Sequence, residues 1–387
     1  MSHTTTQGRR RRPLRLLIIA TILVILVLVS LPELSLDVYA AFLICLLGIW
    51  ILSLWLLKNH SSSQFRHATE EEKTADLTLR TKSSEYFGQL PVASTGLRGT
   101  LLRHPLFSYF SIAYAIKFIV LIPYSLAAWG VISGDWTAAF VLATFGPFVA
   151  GTIMVYLTEG RDGLTRLKNR VRQWRIGWKW LLFIFAGIPA IVMFGIVVQP
   201  GAFVGFLGIS PILLVSYPFT YVAVWFGGGG LNEEVGWRGF ALPRMQSRYG
   251  PLWGTMFLGV VHCFWHFEEF LTPAQGGGPG TGWTPFLVNL PMFLLVVIAF
   301  SIIITWIFNR TRGSLFAVIS AHASVDTPQA TFIPLFPAVG ALGIQMGFGL
   351  GLAVVALLIV ILTRGRLGYE PNQGKPSSPE IEAQPIR

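Results

Sequence analysis

Long apolar runs separated by short polar connections make up most of this 387-residue sequence. A helix needs about 20 predominantly apolar residues to cross the roughly 30 Å of hydrocarbon in a bilayer. About ten runs approach that length, so the pattern predicts an all-α, polytopic membrane protein with about ten transmembrane helices. The predicted spans are residues 14–31, 38–57, 110–132, 137–157, 179–199, 205–226, 252–271, 286–308, 314–338 and 341–363.

The predicted spans fall into two groups, because residues 58–105 are polar and contain an acidic run. We predict a polar cytoplasmic linker there, between an N-terminal transmembrane hairpin at 1–57 and an eight-helix core at 106–363. The C-terminal tail at 364–387 is rich in proline and too polar to bury a core, so we expect it to be disordered.

Composition agrees with a membrane protein and argues against a nucleic-acid partner. Hydrophobic residues make up 53% of the chain and charged residues only 12%, about half the charged fraction of a soluble domain. The formal net charge is +11, but the basic residues cluster in short segments between apolar runs, as orientation signals do. The expected partner is therefore the lipid bilayer, and no nucleic acid.

The distribution of Lys and Arg over the connections predicts the orientation of the chain. Cytoplasmic loops of membrane proteins carry an excess of these residues. Basic connections alternate with connections that contain no Lys or Arg, so we expect a multi-pass protein of the cell membrane with both termini in the cytoplasm. The basic connections are 58–109, 158–178, 243–250 and 309–313, and the others are 32–37, 133–136, 200–204 and 272–285.

Three groups of polar residues interrupt the apolar spans. A charged side chain at the bilayer centre costs about 2.5–3.5 kcal/mol on insertion scales, so such residues are expected to pair, face a polar cavity or take part in chemistry. Within each group, two residues are four positions apart and so share one face of a helix. The groups are Glu233, Glu234 and Arg238; His262 and His266; and His322 and Asp326.

The adjacent carboxylates Glu233 and Glu234 are rotated by about 100° on a helix, so they cannot point at the same target. One can address a reaction centre while the other pairs with Arg238. The glycine run 227–230 just before them is expected to break the helix. Within the bilayer, such irregular backbone is tolerated only where it is buried in protein or lines a water-accessible cavity. We place Glu268 and Glu269, by contrast, at the outer membrane surface.

Two neutral imidazoles and a carboxylate can bind a divalent metal, or they can position and deprotonate a water molecule directly. Hydrolysis is the natural reaction class for such a set. The common HExxH zinc-protease motif is absent, because His266 is followed by Phe-Glu-Glu. Two other functions use the same residues: a proton-coupled transporter with buried Glu, Arg and His as a relay, and a non-catalytic immunity or scaffold protein.

These three groups of residues resemble the motifs of the CPBP intramembrane proteases, which are also called the CAAX protease and bacteriocin-processing or abortive-infection family. That family is related to the type II CAAX prenyl endopeptidases. Residues 233–238, from Glu233 to Arg238, are similar to the family motif EExxxR. Residues 262–266, which include His262 and His266, are similar to FxxxH, and residues 322–326, from His322 to Asp326, are similar to HxxxN/D. The stretch Asn232 to Arg244 resembles one bacterial branch, and the likeness covers about 105–363.

This resemblance implies an intramembrane endopeptidase that hydrolyses a peptide bond of a membrane-associated protein or peptide. It implies that Glu233 activates a water with His266, and that His322 and Asp326 hold the water, a metal or the oxyanion. It also implies that Glu234 and Arg238 brace the helix. The resemblance leaves open whether a metal such as zinc is bound; the ligands in that case are Glu233, His266 and His322.

Position 262 departs from the family pattern, because a histidine stands where an aromatic residue is usual. His262 is interpreted as a supporting residue: an extra ligand, a second proton carrier or a polar substitute in a packing position. Prenylated CAAX proteins are not the substrate expected for a bacterial-type branch.

Overall fold

The structure, a computed structural model, describes residues 96–370. The predicted hairpin at 1–57 and most of the linker at 58–105 lie outside the described residues, so that part of the domain organisation stays a prediction. The chain divides into two units between Ser108 and Tyr109. All contacts discussed below lie within the second unit.

The described part of the chain is helical and contains no β-strand. Numbered from the first described helix, the α-helices are α1 Leu97–Arg103, α2 Pro105–Ala128, α3 Thr137–Ala143, α4 Gly146–Val171, α5 Trp178–Leu182, α6 Ile188–Val197, α7 Pro211–Gly227, α8 Gly230–Gly236, α9 Leu242–Tyr249, α10 Pro251–Trp265, α11 Leu290–Arg310, α12 Leu315–Phe332 and α13 Ala341–Leu362. Segments of π-helix lie at Phe183–Gly187, Trp237–Ala241 and Pro285–Asn289, and 3-10 turns at Phe267–Leu271, Pro273–Gln275 and Ile333–Leu335.

The predicted fold class, an all-α polytopic membrane protein, is confirmed. Each of the eight predicted core spans overlaps at least one helix. Within residues 96–370, five helical segments are long and apolar enough to cross a membrane: Pro105–Ala128, Thr137–Val171, Trp178–Val197, Pro211–Tyr249 and Pro285–Arg310. Two of the other predicted spans contain a shorter or more polar helix, since α10 has 15 residues and α12 carries His322 and Asp326. In the third, the apolar helical segment is Gly349–Leu362.

The glycine run interrupts the helix where the sequence predicts a break. Helix α7 ends at Gly227 and α8 begins at Gly230. Between them Gly229 has φ = 109°, a conformation that is costly for residues with a Cβ. The chain then continues without a loop from α8 through the π-helical turn Trp237–Ala241 into α9.

Helix α8 is buried because it packs very closely against α4. A Cβ atom added to Gly236 would lie 2.1 Å from the carbonyl oxygen of Pro147, and one added to Gly151 would lie 2.8 Å from the Cα of Gly236. These two glycines therefore allow the backbones to meet. As a result, the carboxylates of Glu233 and Glu234 lie inside the protein.

Two side chains fix the ends of the helices that carry the polar groups. Ser314 caps α12, since its hydroxyl accepts a hydrogen bond from the amide of Ala317 (3.1 Å) and thereby satisfies a free donor at the helix start. Arg170 of α4 donates hydrogen bonds to the carbonyl oxygens of Gly313 (2.8 Å) and Gly239 (3.3 Å). It thus connects the start of α12 to the π-helical turn after α8.

The ordered core extends beyond the predicted boundary at residue 363. Residues 364–370 form turns, and Leu367 is fully buried. The side-chain amide of Asn309 donates a hydrogen bond to the carbonyl oxygen of Leu367 (3.0 Å). The remaining residues of the predicted tail, 371–387, lie outside the described residues.

Candidate active site

Glu233 lies at the centre of the candidate site, buried between two histidines. Its Oε2 is 2.7 Å from Nε2 of His262 and 3.9 Å from Nε2 of His266. Helix α8 supplies the carboxylate, whereas both histidines come from the end of α10. The sequence predicts that Glu233 and His266 meet, and the structure brings them together with His262 in the closer position.

His266 stands where α10 ends and the chain changes to a 3-10 turn. Its other ring nitrogen, Nδ1, is 2.8 Å from Oε1 of Glu269. That same carboxylate oxygen is 2.5 Å from Nζ of Lys117. His266, Glu269 and Lys117, which we call the lysine unit, therefore form a continuous chain of polar contacts that ends at Glu233.

Glu268 and Glu269, which the sequence places at the outer membrane surface, are not exposed there as expected, because both side chains are buried within the protein. The 3-10 turn folds them back toward α2, where Ser125 donates a hydrogen bond to Glu268 (3.0 Å) and Lys117 neutralises Glu269. The proline and glycines that follow them indicated a surface loop.

Lys117 is a further residue of the site that the sequence analysis does not predict, and it is fully buried in α2. Its ammonium group lies 4.3 Å from the ring centroid of Trp265, within the range of a cation–π interaction. The signal was present in the sequence, since Lys117 is a lone charge in the apolar run 110–132, and intramembrane charges of this kind have a partner or a function.

Glu234 forms a second polar chain with Arg238 and His322, which we call the arginine unit. Oε1 of Glu234 is 2.9 Å from Nη1 of Arg238 and 2.7 Å from Nδ1 of His322. Arg238 donates a further hydrogen bond to the hydroxyl of Ser301 (3.0 Å). The predicted pairing of Glu234 with Arg238 is thus present, and both side chains are fully buried.

Asp326 lies on the other side of the His322 ring, with Oδ2 3.3 Å from Nε2. Both ring nitrogens of His322 therefore face carboxylate oxygens. A neutral imidazole can donate only one hydrogen bond, whereas the imidazolium donates two, so the charged form satisfies this position best.

The donor set for a metal differs from the predicted one. In the part of the chain that the structure describes, the His, Cys, Asp and Glu side chains whose ligand atoms all lie within 4.8 Å of one another are Glu233, His262 and His266. His262, which the sequence leaves open as an extra ligand, belongs to this cluster, whereas both nitrogens of His322 face the carboxylates of Glu234 and Asp326. The predicted ligands Glu233 and His266 remain in the set.

These residues fit a divalent metal on two grounds. A metal-binding histidine usually donates its second ring N–H to a carboxylate, and Glu269 occupies that position on His266. Even with His322 counted as a cation, the site has more carboxylates than cations, so further positive charge would balance it. The carboxylates are Glu233, Glu234, Glu269 and Asp326, and the cations are Lys117, Arg238 and His322.

The walls of the site are aromatic, and its backbone approaches closely at a glycine. Phe300 lies edge-to-face with His322 (5.0 Å between centroids), and Phe293 with His266 (5.3 Å). A Cβ atom at Gly229 would lie 2.7 Å from Nε2 of His322. The side chains of Asp326 and His266 are 34% and 15% exposed, so the site is open on the side that they line.

Comparison with known proteins relates this arrangement to a protease family. Residues 214–327 match the family model described as type II CAAX prenyl endopeptidase, Rce1-like. The CAAX prenyl protease 2 of Methanococcus maripaludis is 23% identical over 205 residues, which cover 51% of this chain and 73% of that protein. The matched residues include α8, α10 and most of α12. These matches support an intramembrane endopeptidase.

Proposed function

We propose that this chain, which is related to the CAAX protease family, hydrolyses a peptide bond of a membrane-associated protein or peptide by means of a water molecule activated by Glu233 and His266. The observation that carries the proposal is the position of the buried Glu233 carboxylate between two histidine rings, 3.9 Å from Nε2 of His266. A buried carboxylate beside imidazoles is an arrangement suited to general-base catalysis.

The separation of 3.9 Å between Glu233 and His266 is too long for a direct hydrogen bond. A water molecule between the two atoms can hydrogen-bond to both. Because Nδ1 of His266 is engaged by Glu269, Nε2 of the neutral ring presents its lone pair toward that water. Either group can therefore accept a proton as the water attacks the peptide carbonyl carbon.

His322 supplies positive charge for the oxyanion that develops during this attack. The cation acts on this charge through space, because both N–H groups of His322 are directed at Glu234 and Asp326. Glu234 and Asp326 hold the ring from opposite sides, and Arg238 balances the charge of Glu234. This assignment agrees with the role that the family resemblance gives to His322 and Asp326.

If a metal takes part, Glu233, His262 and His266 would hold it. A divalent ion such as zinc would supply Lewis acidity and make a bound water a stronger acid. Metal analysis of the purified protein tests this, with the wild type compared with His266→Ala and His262→Phe. We expect one equivalent in the wild type and a clear loss in both variants; equal metal content in all three proteins would contradict this donor set.

The proposed activity is tested by cleavage of a membrane-tethered peptide in liposomes. We expect Glu233→Gln, His266→Ala and His322→Ala each to lower the cleavage rate by about 10²–10⁴-fold, since each removes a group that acts in proton transfer or charge stabilisation. Glu159→Gln is the matched control, because Glu159 pairs with Arg166 and Arg244 away from the site. Undiminished cleavage by all three variants would refute the proposal.

The rival functions predict different outcomes in the same preparation. A proton-coupled transporter would give flux that depends on a proton gradient, without peptide cleavage. A non-catalytic immunity or scaffold protein would still function in cells as the Glu233→Gln variant. Cleavage of paired peptides with and without a prenyl group would then define the substrate class.

A further inference from the structure

The two polar units around the site have the same construction. In the lysine unit, Oε1 of Glu269 meets both Nζ of Lys117 and Nδ1 of His266. In the arginine unit, Oε1 of Glu234 meets both Nη1 of Arg238 and Nδ1 of His322. In each case one carboxylate oxygen joins a permanently charged residue to the Nδ1 atom of a histidine.

We propose that Lys117 and Glu269 are positioning residues for His266: they keep its proton on Nδ1 and direct its unprotonated Nε2 at Glu233. This inference rests on the proposed function, in which His266 acts on the water. Lys117 lies outside the residues that match the family model, 214–327.

The reason for a dedicated support is the position of His266 at the end of a helix. Its backbone has φ = −85° and ψ = 2° at the C-terminus of α10, so the ring is not held in the regular side-chain row of the helix. The hydrogen bond to Glu269 fixes both the orientation of the ring and its tautomer.

Lys117 has a separate role, which is to neutralise the charge of the buried Glu269 carboxylate. A buried carboxylate without a partner is strongly unfavourable, and so is a buried ammonium. Lys117 is fully buried and its ammonium contacts both Glu269 and the ring of Trp265. The pair therefore provides a fixed hydrogen-bond acceptor for His266 without an unbalanced charge.

His262 offers an internal contrast, since it has no such support. Its Nε2 contacts Glu233, while its Nδ1 is buried and has no hydrogen-bond partner among the described residues. The acceptor that holds the proton on Nε2 of His262 is Glu233 itself, so of the two histidines beside Glu233, His266 is the one that turns an unprotonated Nε2 toward it.

The test compares Glu269→Leu with Glu269→Gln, because the glutamine keeps an acceptor oxygen for Nδ1 and the leucine does not. We expect Glu269→Leu to lower kcat by about 10–100-fold with KM nearly unchanged, as for other supporting residues of this kind. Glu269→Gln should recover most of the rate. The matched control is Glu268→Leu, which removes the neighbouring buried carboxylate and should leave kcat near the wild-type value.

The direct readout is the tautomer of His266, followed by ¹⁵N NMR of the imidazole nitrogens in protein with labelled histidine. We expect Nδ1–H in the wild type and in Glu269→Gln, and a mixture of tautomers in Glu269→Leu. Unchanged His266 signals in Glu269→Leu, or an equal loss of kcat in Glu268→Leu, would overturn the proposal. Because the spectrum is read without substrate, it stands even if no peptide is cleaved, which separates this inference from the proposed function.

The role of Lys117 is tested with Lys117→Met and the double variant Lys117→Met/Glu269→Gln. The single change leaves Glu269 without its cation, whereas the double change removes both charges and keeps the acceptor. We expect the double variant to be more stable to heat than Lys117→Met and to have a higher kcat. A double variant that is worse than Lys117→Met in both respects would contradict the assigned division of tasks.

Discussion

The arginine unit and the lysine unit are built alike but are assembled from different parts of the chain. Glu234 and Arg238 are four residues apart on one continuous helical stretch. Lys117 and Glu269, in contrast, are 152 residues apart and come from α2 and the 3-10 turn after α10. In the arginine unit, local spacing supplies the pair of carboxylate and cation and packing adds the histidine, whereas in the lysine unit local spacing supplies the pair of carboxylate and histidine and packing adds the cation.

The two units also leave their histidines in different chemical states. Nε2 of His322 meets a second carboxylate, Asp326, at 3.3 Å, so the ring is best satisfied as a cation. Among the described residues, the carboxylate that faces Nε2 of His266 is Glu233, at 3.9 Å, which leaves a position for water or metal. A carboxylate at Nδ1 thus does not decide the function of these histidines. The atoms that face Nε2 decide it.

The largest expected effect comes from breaking the arginine unit at its cation. Arg238→Met removes the permanent cation beside the fully buried Glu234, and we expect the free energy of unfolding to fall by about 3–5 kcal/mol. Denaturant unfolding in detergent measures this. As a control, Arg166→Met breaks an ion pair in which the arginine is 61% exposed, and should cost about 0–1 kcal/mol. Equal losses in the two variants would contradict the difference in burial.

The second largest effect is expected at Asp326, whose carboxylate gives Nε2 of His322 different surroundings from Nε2 of His266. Asp326→Ala removes the carboxylate on Nε2 of His322, and we expect kcat for peptide cleavage to fall by about 10²-fold, or about 2.7 kcal/mol in barrier height. Asp326→Asn keeps an acceptor oxygen and should stay within about tenfold of the wild type. If Asp326→Asn were as inactive as Asp326→Ala, the negative charge rather than the hydrogen bond would be the requirement.

A smaller effect is expected from the backbone that approaches the arginine unit. Gly229→Ala would place a Cβ 2.7 Å from Nε2 of His322, at φ = 109°, and should lower the free energy of unfolding by about 1–3 kcal/mol. Gly227→Ala is the control, since no atom lies within 4 Å of a Cβ there. Thermal unfolding compares them, and a loss no greater for Gly229→Ala than for Gly227→Ala would rule out the close approach as a constraint.

Much of this site could be predicted from the sequence because its pairs are local. The spacing of four residues placed Glu234 beside Arg238 and His322 beside Asp326, and both contacts are present. The break at the glycine run was predicted for the same reason, since it depends on the conformational preference of a few consecutive residues.

The sequence does not predict the surroundings of residues whose environment depends on distant segments. Glu269 was placed at the surface because polar and turn-forming residues surround it in the sequence, yet α2 covers it and supplies Lys117. Spacing along each helix likewise does not tell that the ligand atoms of His262, rather than those of His322, cluster with those of Glu233 and His266.

The sequence by itself determined that this chain is an all-helical membrane protein with Glu, Arg, His and Asp in its apolar segments, since hydrophobic run length and helical periodicity are properties of the chain alone. Only the tertiary structure decided which histidine each carboxylate holds, and so which ring faces Glu233 with a free nitrogen. The physical reason is that a buried charge selects its partner by proximity in space, and in the lysine unit that proximity arises only when α2 packs against the turn that follows α10.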